Sequence, residues 1–492
     1  MEPKYDFGVV GLGVMGYSLL LNVADRGYAV IGLDNDQEKA DALTRDTGEQ
    51  PVEGTTSVES FVGGLKQPRR ILIMVPAGGP VDAVIETLKP HLAPGDLLID
   101  GGNTHFSDTD RRAREVAEAG FRYLGMGVSG GQAGARYGPS MMPGGDAEAF
   151  KTVQPILEAI AARVYDEPCV AYLGRGAAGH YVKMVHNGIE YGMMQLIAEA
   201  YDLLHRGLHF TPTRLHRQFR EWATGELESY LIEITADIFA QADDHSDGAL
   251  IDRILDAARQ KGTGKWTSQS ALDLGVPTPN IDVAVTARYL SALKDERVEA
   301  AEALLGPEVD YDTDEEEREQ IAGEIRNALF FGFVMCFAQG MALLRAASEA
   351  YDFGLNLADV ARVWRGGCII RARMLEPIGA AYQYTPDLPN LLMDDHLAKR
   401  VGQEQVDTRD VVAWAAHHGI PTPGLSVALS YYDAYRSARL PANLTQAQRD
   451  YFGAHTYERT DRDGTFHTEW KTTGTEKRDV PTRDEAPRST DV

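Results

Sequence analysis

Short apolar runs alternate with amphipathic segments of helical length over the first third of the chain. Four runs have the length and apolar character of buried strands, at residues 7–10, 29–33, 71–75 and 97–99. Between them lie segments whose apolar residues recur at helical spacing, such as residues 17–26 and 80–88. This alternation predicts a parallel β-sheet covered by α-helices.

The pattern changes near residue 177, after which β-branched runs become rare and helical periodicity dominates. We therefore predict a sheet-containing domain at 1–177, a large all-helical domain at 178–437, and a C-terminal tail at 438–492. Residues 471–492 are rich in Thr, Glu, Arg, Asp and Pro, which predicts disorder. The longest apolar run, ALFFGFVMCFA at 328–338, is too short to span a bilayer and predicts a buried core helix.

The composition argues against several classes of function. The 492 residues carry a formal net charge of −25, which disfavours a nucleic-acid or anionic membrane partner. Cys169, Cys336 and Cys368 are far apart and show no metal-ligand spacing, so we expect reduced structural thiols and no metal. The N-terminus has no basic segment typical of a signal peptide, and we expect a cytoplasmic protein.

A glycine-rich turn separates the first predicted strand from the first helix. The string GVVGLGVMG places Gly11, Gly13 and Gly16 in the spacing G-x-G-x-x-G. That spacing is weak evidence alone, but here a strand precedes it, and a helix, a second strand and an acidic residue follow. Such glycines permit a tight turn and let a pyrophosphate approach the helix N-terminus. We predict a dinucleotide site, with a purely structural turn as the alternative.

The acidic residue is Asp34, at the end of the second predicted strand. A carboxylate at this point can accept hydrogen bonds from the adenosine ribose, and it repels a 2′-phosphate. Asn35 and Asp36 follow and add no cation. The sequence thus favours NAD over NADP, unless Asp34 is an ordinary turn residue.

One helical segment, GHYVKMVHNGIEYGMM at 179–194, has an unusual polar face. Lys183, His186, Asn187, Glu190 and Tyr191 recur at the spacing of a single helix face, and apolar residues surround them. A buried lysine can lose its proton and act as a base, whereas an arginine cannot. The stripe therefore indicates a catalytic face, with a buried structural hydrogen-bond network as the alternative.

Three further loops carry groups suited to an anionic, hydroxylated ligand. Asn103 ends IDGGN, after the fourth predicted strand and at the sheet edge where such folds bind ligands. Ser129, Gly130 and Gly131 offer a hydroxyl and backbone N–H groups, although they could form a structural loop. The string QKGTGKW at 260–266 suits a sugar phosphate, or is a solvated basic turn. Arg288, Arg449 and His455 are further cationic candidates.

Several long strings together resemble one family. These are GVVGLGVMG, IDGGN, VSGGQAGARYGPSMMPGG, GHYVKMVHNGIEYG, QKGTGKW, LKDER, WRGGCIIRA, LPNLL and QRDYFGAHTYE. They are similar to those of the decarboxylating 6-phosphogluconate dehydrogenases, from the first strand to about residue 470. The resemblance implies a Rossmann domain, a large helical domain, and a tail that reaches into the other subunit of a homodimer.

The resemblance also implies a reaction and a set of residues. The reaction is the NAD(P)-dependent oxidation and decarboxylation of 6-phosphogluconate to ribulose 5-phosphate in the pentose phosphate pathway and gluconate utilisation. It implies Lys183 as the base and Glu190 as the acid that protonates C1. The implied substrate contacts are Asn103, Ser129, Gly130, Gly131, His186, Asn187, Tyr191, Lys261, Thr263, Arg288, Arg449 and His455, the last two from the neighbouring subunit. For the cofactor we expect contacts from Gly11, Leu12, Gly13, Val14, Met15, Gly16, Asp34, Asn35, Asp36, Val75, Pro76, Ala77 and Asn103.

The chain departs from this family near the expected 2′-phosphate position. Typical NADP-using members have Asn-Arg-Ser or Asn-Arg-Thr where this chain has Asp34, Asn35 and Asp36, and commonly lysine where it has Pro76. We expect NAD to be preferred and NADP to remain possible. The alternatives are a smaller β-hydroxyacid dehydrogenase of the 3-hydroxyisobutyrate type, which would lack QKGTGKW and the tail, and a non-catalytic nucleotide-binding dimer.

Overall fold

The computed structural model describes residues 4–46, 51–307 and 313–470. The predicted disorder of residues 471–492 therefore lies outside the described residues. The chain forms two compact units, Met1–Tyr432 and Asp433–Val492. The first unit contains the sheet and most of the helices, and the second contains the tail.

The first unit begins with a seven-stranded sheet. Its strands are β1 (Phe7–Val10), β2 (Val30–Leu33), β3 (Val52–Thr55), β4 (Arg70–Ile73), β5 (Leu97–Asp100), β6 (Arg122–Ser129) and β7 (Ser140–Gly145). Their spatial order is β3-β2-β1-β4-β5-β6-β7, with every neighbouring pair parallel except β6 and β7. This is the doubly wound arrangement that the alternation of apolar runs predicts.

The sheet has three strands beyond the four that the sequence predicts. β3 reads VEGT at the sheet edge and is only partly buried, and β6 and β7 contain glycines that interrupt an apolar run. Because β3 precedes it, the strand before IDGGN is the fifth along the chain, and our count of it as the fourth was wrong.

Helices cover both faces of the sheet. They are α1 (Val14–Asp25), α2 (Gln37–Asp46), α3 (Val58–Gly64), α4 (Gly79–Leu88), α5 (Phe106–Glu118), α6 (Gly131–Tyr137) and α7 (Ala147–Ile160), with a 3-10 turn at Lys89–His91. Apolar side chains from alternate strand positions form one buried cluster on each face. A small hairpin, β8 (Arg163–Val164) and β9 (Glu167–Pro168), leads toward the helical part.

The helical part begins with one long buried helix. The helices of this part are α8 (Ala178–Asp202), which is the long buried one, α9 (Pro212–Trp222), α10 (Tyr230–Ala240), α11 (Thr263–Asp273), α12 (Pro279–Ala292), α13 (Lys294–Ala303), α14 (Glu315–Ala350), α15 (Leu357–Trp364), α16 (Leu375–Tyr384), α17 (Asp395–His417) and α18 (Pro423–Tyr435). A π-helical turn at Leu203–Gly207 follows α8, and 3-10 turns lie at Leu250–Arg253 and Leu391–Met393.

The apolar run at 328–338 lies within α14, in the core of the helical part, as predicted. Among the described residues, α14 is the one helix long and apolar enough to cross a membrane. Its most apolar stretch is 83% buried inside the protein, as in the core helix of a globular protein.

Glycines let α8 pack directly on the sheet. A Cβ added to Gly127 in β6 would lie 2.3 Å from Cβ of Lys183, and one added to Gly179 in α8 would lie 2.3 Å from the carbonyl oxygen of Gly125. No larger residue fits at these contacts without moving one element. The start of α8 is therefore fixed against the carboxyl-terminal half of β6.

Within its described residues, the second unit contains the end of α18, then α19 (Ala442–Gly453) and a two-stranded hairpin of β10 (Tyr457–Glu458) and β11 (Thr465–Phe466). α19 ends at Gly453. The next residue, Ala454, has a left-handed φ of +51°, and Thr456 has one of +60°. The chain thus reverses sharply between the helix and the hairpin.

Candidate functional site

The glycine turn after β1 has the shape that its spacing predicts. Gly11 has a φ of +95°, a region that side chains disfavour. A Cβ on Gly16 would lie 1.9 Å from the carbonyl oxygen of Gly11, so only glycine permits this contact between turn and helix. A Cβ on Gly13 would meet nothing within 4 Å, which leaves the N-terminus of α1 open to a ligand phosphate.

Asp34 lies next to this turn, with both carboxylate oxygens in use. Its Oδ2 accepts a hydrogen bond from the Leu12 N–H at 2.7 Å, and its Oδ1 accepts one from the Asp36 N–H at 3.0 Å. The ammonium nitrogen of Lys39 lies 3.6 Å from Oδ1 of Asp34 and 3.7 Å from Oδ2 of Asp36. Neither of the two residues after Asp34 is a cation, but Lys39 in the first turn of α2 brings a positive charge to this carboxylate.

Asp34 lines a cavity of about 650 Å³ at the carboxyl ends of β1, β2 and β4. Its walls include the predicted cofactor residues Gly11, Gly13, Asp34, Asn35, Val75 and Pro76, and also Lys39. Leu12 is buried, Val14 and Asp36 are exposed, and Met15 is partly buried at the start of α1. Ala77 is exposed and, like Asn103, is not among the lining residues. A cavity of this volume, lined mainly by apolar side chains with a few polar groups, suits the adenosine half of a dinucleotide.

The side chain of Lys183 is buried in the second turn of α8. It is 7% exposed, and its Nζ donates a hydrogen bond to Oδ1 of Asn187 at 2.5 Å. Burial lowers the pKa of Lys183 because the ammonium loses hydration, while the nearby Glu190 carboxylate opposes this shift. A lysine in this state releases its proton more easily than one at the surface, as a general base requires.

His186 joins the same polar face and is fully buried. Its Nδ1 lies 3.1 Å from Oδ1 of Asn187, and its Nε2 lies 3.4 Å from Oγ of Ser129, at the end of β6. Burial, and then the positive charge of Lys183, hold the pKa of His186 well below its ordinary value. A neutral imidazole here can orient a hydroxyl group but does not compete for the proton of the lysine.

Glu190 lies two helical turns beyond Lys183, about 10 Å along the axis at the α-helical rise. Its side chain is 21% exposed, and its Oε2 lies 3.9 Å from Nδ1 of His186. Burial raises the pKa of Glu190, against the opposing charges of Lys183 and Arg288. The helix face thus presents a lysine that deprotonates easily and a carboxyl group that stays protonated more easily than usual.

Tyr191 and Arg288 extend this face. The guanidinium of Arg288, on α12, lies 3.5 Å from the ring centroid of Tyr191, a stacked cation–π arrangement. A Cβ on Gly264, in the first turn of α11, would lie 2.4 Å from the same ring. The three helices α8, α11 and α12 therefore meet at Tyr191, next to Glu190.

The predicted loop 260–266 forms the start of α11. Gly262 has a φ of +96°, Thr263 is the first helical residue, and Lys261 is exposed just before it. The Thr267 hydroxyl donates a hydrogen bond to the carbonyl of Met184, which ties α11 to α8. Backbone N–H groups at such a helix start, with a lysine beside them, can bind an anion.

Ser129, Gly130 and Gly131 form the turn from β6 into α6. Gly130 has a φ of +118°, and a Cβ there would lie 2.6 Å from the carbonyl oxygen of Gly367. That carbonyl also accepts a hydrogen bond from the Ser140 N–H at 2.8 Å. The string WRGGCIIRA, to which the sequence assigns no role, thus supports this turn through Gly367.

Asn103 is exposed on the loop after β5, and a buried ionic network supports that loop. Oδ2 of Asp100 accepts hydrogen bonds from the hydroxyls of Thr104 at 2.7 Å and Tyr123 at 3.1 Å, and Arg112 lies 3.4 Å away. Arg112 also binds Asp82 in α4 and the carbonyl of Gly78. One buried arginine thus connects the loop of Asn103 with the N-terminus of α4.

The last two predicted substrate contacts, Arg449 and His455, belong to the second unit. Arg449 is exposed on α19, where it donates a hydrogen bond to Gln446 at 3.1 Å. His455 is exposed between the two left-handed residues that follow α19. The first unit alone thus brings together Ser129, His186, Asn187, Glu190, Tyr191, Arg288 and Lys183.

Sequence reasoning missed Lys39 and Gly127. Lys39 lies in the first turn of α2, three residues after Asp36, and a search for cations at this helical spacing from Asp36 would have found it. Gly127 was detectable from the alternation GMG in β6, since glycine within a strand marks a close backbone approach. Within residues 4–46, 51–307 and 313–470, no cluster of three or more His, Cys, Asp or Glu side chains could hold a metal ion.

Two family models together match nearly the whole chain. Residues 6–174 match the NAD binding domain of 6-phosphogluconate dehydrogenase, and residues 179–470 match the 6-phosphogluconate dehydrogenase C-terminal domain. The match to the second model includes the tail as far as residue 470. The two models meet at the start of α8, between the sheet and the helical part.

Two bacterial relatives are similar to this chain over nearly its full length. The chain is 53% identical to the NADP(+)-dependent, decarboxylating 6-phosphogluconate dehydrogenase of Bacillus subtilis, over 95% of this chain and 99% of that protein. It is 52% identical to the decarboxylating 6-phosphogluconate dehydrogenase of Escherichia coli, over the same shares. The structure of Plasmodium falciparum 6-phosphogluconate dehydrogenase superposes with a TM-score of 0.92 at 42% identity, over 94% of this chain and 100% of that one. With its fold, its buried polar helix face and these matches, the chain belongs to the 6-phosphogluconate dehydrogenase family.

Proposed function

We propose that this protein oxidises and decarboxylates 6-phospho-D-gluconate to D-ribulose 5-phosphate and CO2, with reduction of NAD(P). The observation that carries the proposal is the pairing of Lys183 and Glu190 on one buried helix face. Burial shifts the pKa of the lysine down and that of the carboxyl up. A dinucleotide-type cavity and the cationic Arg288 accompany this pair in the same unit.

Lys183 serves as the base. In its neutral form it takes the proton of the C3 hydroxyl, and the bound dinucleotide supplies the acceptor for the C3 hydride. As an ammonium, Lys183 then donates a hydrogen bond to the new C3 carbonyl, which can accept the electrons released when CO2 leaves. His186 and Asn187, which share a hydrogen bond beside Lys183, orient the substrate hydroxyls.

Glu190 serves as the acid. Decarboxylation leaves an enediol that must take a proton at C1, and a carboxyl group with a raised pKa is suited to supply it. The distance of two helical turns between Lys183 and Glu190 lets them act on different carbons of one sugar chain. Tyr191, Arg288, Lys261 and Thr263 hold the phosphate end, while Asn103 and the turn at 129–131 hold the end nearer the nicotinamide.

The residues around the glycine turn fit a dinucleotide. The N-terminus of α1 would hold the pyrophosphate, and the cavity at Asp34 would hold the adenosine. We propose that NAD is preferred, because the Asp34 carboxylate can bind ribose hydroxyls and repels a 2′-phosphate. Lys39 weakens this repulsion, so NADP remains a substrate. The Bacillus subtilis relative is named as NADP(+)-dependent, which makes the preference a point on which this chain would differ.

We further propose a homodimer in which each tail supplies Arg449 and His455 to the active site of the other subunit. Leu444, Tyr451 and Phe452 on α19 are 62%, 54% and 72% exposed and lie on one helix face. They line a hollow of about 470 Å³ together with Trp470. An exposed apolar face of this kind is suited to a protein partner, and the family resemblance points to a second copy of this chain.

The reaction is the decarboxylating step of the pentose phosphate pathway, a cytosolic route. Three unpaired, buried cysteines suit a reducing compartment. A 3-hydroxyisobutyrate-type activity is disfavoured because relatives named as 6-phosphogluconate dehydrogenases match 95% of the chain, including the tail. A non-catalytic dimer would give no reason for the buried lysine and glutamate.

Initial rates on 6-phosphogluconate, measured with NAD and with NADP, test the activity and the preference together. We expect turnover with both and a higher kcat/KM with NAD. No turnover with either dinucleotide would reject the activity, and a higher kcat/KM with NADP would reject the preference alone.

A complementation experiment tests whether the tail of one subunit acts in the active site of the other. Lys183→Met and Arg449→Ala variants, each impaired alone, are coexpressed with different affinity tags so that the mixed dimer can be purified. If the tail acts on the other subunit, one site of the mixed dimer has both Lys183 and Arg449 and recovers activity. A tail that serves its own subunit gives no recovery.

A further inference from the structure

Among the tail residues that the structure describes, Asp450 has a buried carboxylate that nothing in the proposed reaction uses directly. Asp450 lies on α19, immediately after Arg449, and is fully buried although its unit is small and most of α19 is exposed. A buried aspartate is uncommon unless its oxygens are fully hydrogen-bonded. Its surroundings therefore indicate what it holds in place.

Asp450 accepts four hydrogen bonds, two at each oxygen. The Thr456 N–H and Nδ1 of His467 donate to Oδ1 at 3.0 and 2.8 Å. The Thr468 N–H and Nε1 of Trp470 donate to Oδ2 at 3.1 and 2.9 Å. Burial acts to raise the pKa of Asp450, but the hydrogen bonds from His467, Thr468 and Trp470 outweigh it and hold the pKa at about 2. The group is therefore ionised throughout the physiological range.

These bonds come from both sides of the hairpin. Thr456 precedes β10, and His467, Thr468 and Trp470 follow β11. One carboxylate thus joins α19 to both ends of the segment 456–470. Gln446, one turn before Asp450 on the helix, adds a hydrogen bond to the Thr456 carbonyl at 2.6 Å and accepts one from Arg449.

The turn that carries His455 depends on this anchor. Ala454 and Thr456 both have left-handed backbone angles, which non-glycine residues adopt only when other contacts compensate. The Asp450 bond to the Thr456 N–H is such a contact, and it fixes the backbone on the carboxyl side of His455. Without it, this backbone can relax toward ordinary angles and move the imidazole.

We propose that Asp450 is a positioning residue, which sets the relative placement of Arg449 and His455 so that both reach the same anionic substrate. The inference rests on the proposed role of the tail in the active site. It makes the tail a preformed element whose shape does not depend on the partner subunit.

The test compares Asp450→Asn with the unaltered enzyme, using steady-state rates with 6-phosphogluconate and with dinucleotide varied separately. Asparagine has the same shape but turns an NH2 group toward the donors. We expect KM for 6-phosphogluconate to rise on the order of tenfold, the effect of losing one charge-assisted hydrogen bond. KM for the dinucleotide and the dimer mass in sedimentation should stay unchanged, which separates positioning from general loss of structure.

Two tail variants serve as comparisons. Asp461→Asn alters an exposed aspartate of the same hairpin that pairs with Arg459 at 2.7 Å, and should leave all constants unchanged. Trp470→Phe removes one donor to Asp450 and keeps the aromatic ring, so KM for 6-phosphogluconate should rise by a smaller factor. If Asp450→Asn fails to fold, the test rests on Trp470→Phe. An unchanged KM for 6-phosphogluconate in Trp470→Phe then overturns the inference.

Arg449→Ala separates the inference from the proposed function. If Arg449→Ala raises KM for 6-phosphogluconate and Asp450→Asn does not, the positioning role is wrong and the role of the tail stands. If neither variant changes this KM, both are wrong. A rise in the dinucleotide KM equal to that for 6-phosphogluconate in Asp450→Asn also overturns the inference, because it indicates a general structural defect.

Discussion

The ammonium nitrogen of Lys39 lies 3.6 Å from Oδ1 of Asp34, on the wall of the cavity that suits an adenosine ribose. Side by side, the two groups present opposite charges to a substituent at the ribose 2′ position. Asp34 favours a hydroxyl there, and Lys39 favours a phosphate. We propose that the balance between these two side chains, rather than Asp34 alone, sets the preference between NAD and NADP.

Replacing Lys39 with methionine should therefore lower kcat/KM for NADP. We expect a decrease of about tenfold, equivalent to about 1.4 kcal/mol, with little change for NAD. The measurement is the ratio of kcat/KM values for the two dinucleotides at saturating 6-phosphogluconate. Lys66→Met is the control, because Lys66 pairs with Asp6 at 2.8 Å and does not line the cavity. An equal change in both variants would refute a specific role for Lys39.

In this region the sequence predicts the features that depend on neighbouring residues, and it misses the contacts that depend on how a helix packs against a strand. The glycine turn and Asp34 follow from local rules, since strand, turn and helix must occur in that order. Lys39 comes close to Asp34 only because α2 begins at Gln37 and turns its side chain back toward the end of β2. A search limited to the two loop residues after Asp34 therefore misses Lys39, which lies in the first turn of α2.

The same distinction holds for the polar helix face. Helical spacing alone predicts that Lys183, His186, Asn187 and Glu190 share a side of α8, and the structure places them there. The sequence could mark Gly127 as a point of close approach, but it could not show that α8 is the element that crosses β6 there, nor that the WRGG segment supports the turn at Gly130. Such contacts join residues far apart in the chain, and without the structure no periodicity reports them.

The pH dependence should follow the two shifted groups on α8. The proposed mechanism requires neutral Lys183, so activity should rise with pH as the lysine loses its proton, and burial moves this loss to lower pH by lowering the pKa of Lys183. The proposed mechanism also requires protonated Glu190, so activity should fall with pH as the carboxyl group loses its proton, and burial moves this loss to higher pH by raising the pKa of Glu190. The pair gives a bell-shaped profile of kcat/KM whose midpoints belong to the coupled pair.

Glu190→Gln tests this assignment. It removes the group whose deprotonation causes the alkaline decrease, so the profile should rise with pH and then stay level. Overall turnover should fall by about 10²–10⁴, the usual contribution of a general acid or base. An alkaline decrease that persists at the same midpoint in Glu190→Gln would assign it to another group.

Gly127→Ala should impair catalysis through packing. The added Cβ would lie 2.3 Å from Cβ of Lys183, so β6 or α8 must shift. Overpacking of this kind costs about 1–3 kcal/mol of folding stability, and here it also displaces the base. We expect kcat to fall more than the loss of stability at the assay temperature explains, as measured by chemical denaturation and steady-state rates.

The control for this prediction is Gly402→Ala. Gly402 is exposed within α17, and a Cβ there would meet nothing within 4 Å. Alanine is the better helix former by about 1 kcal/mol, so this variant should be as stable as the parent or more so, with normal kcat. A normal kcat in Gly127→Ala would show that the contact with Lys183 can relax without moving its amine.

Glu199, near the end of α8, supports the start of α18 and gives the last prediction. It is 2% exposed, and its two oxygens accept hydrogen bonds from the N–H groups of Gly424 at 2.6 Å and Leu425 at 2.9 Å. In Glu199→Gln one oxygen becomes an NH2 group that faces an N–H donor. A buried unsatisfied donor costs about 1–3 kcal/mol, and we expect that decrease in the free energy of unfolding.

Urea denaturation at constant m-value measures this decrease. Glu148→Gln is the matched control, because Glu148 is an exposed residue that pairs with Lys151 at 2.6 Å. Such surface pairs contribute about 0–1 kcal/mol, so the control should lose much less stability. Equal losses in the two variants would mean that Glu199 does not stabilise the contact between α8 and α18. A loss confined to Glu199→Gln would identify the carboxylate as the link that holds α18 against the catalytic helix.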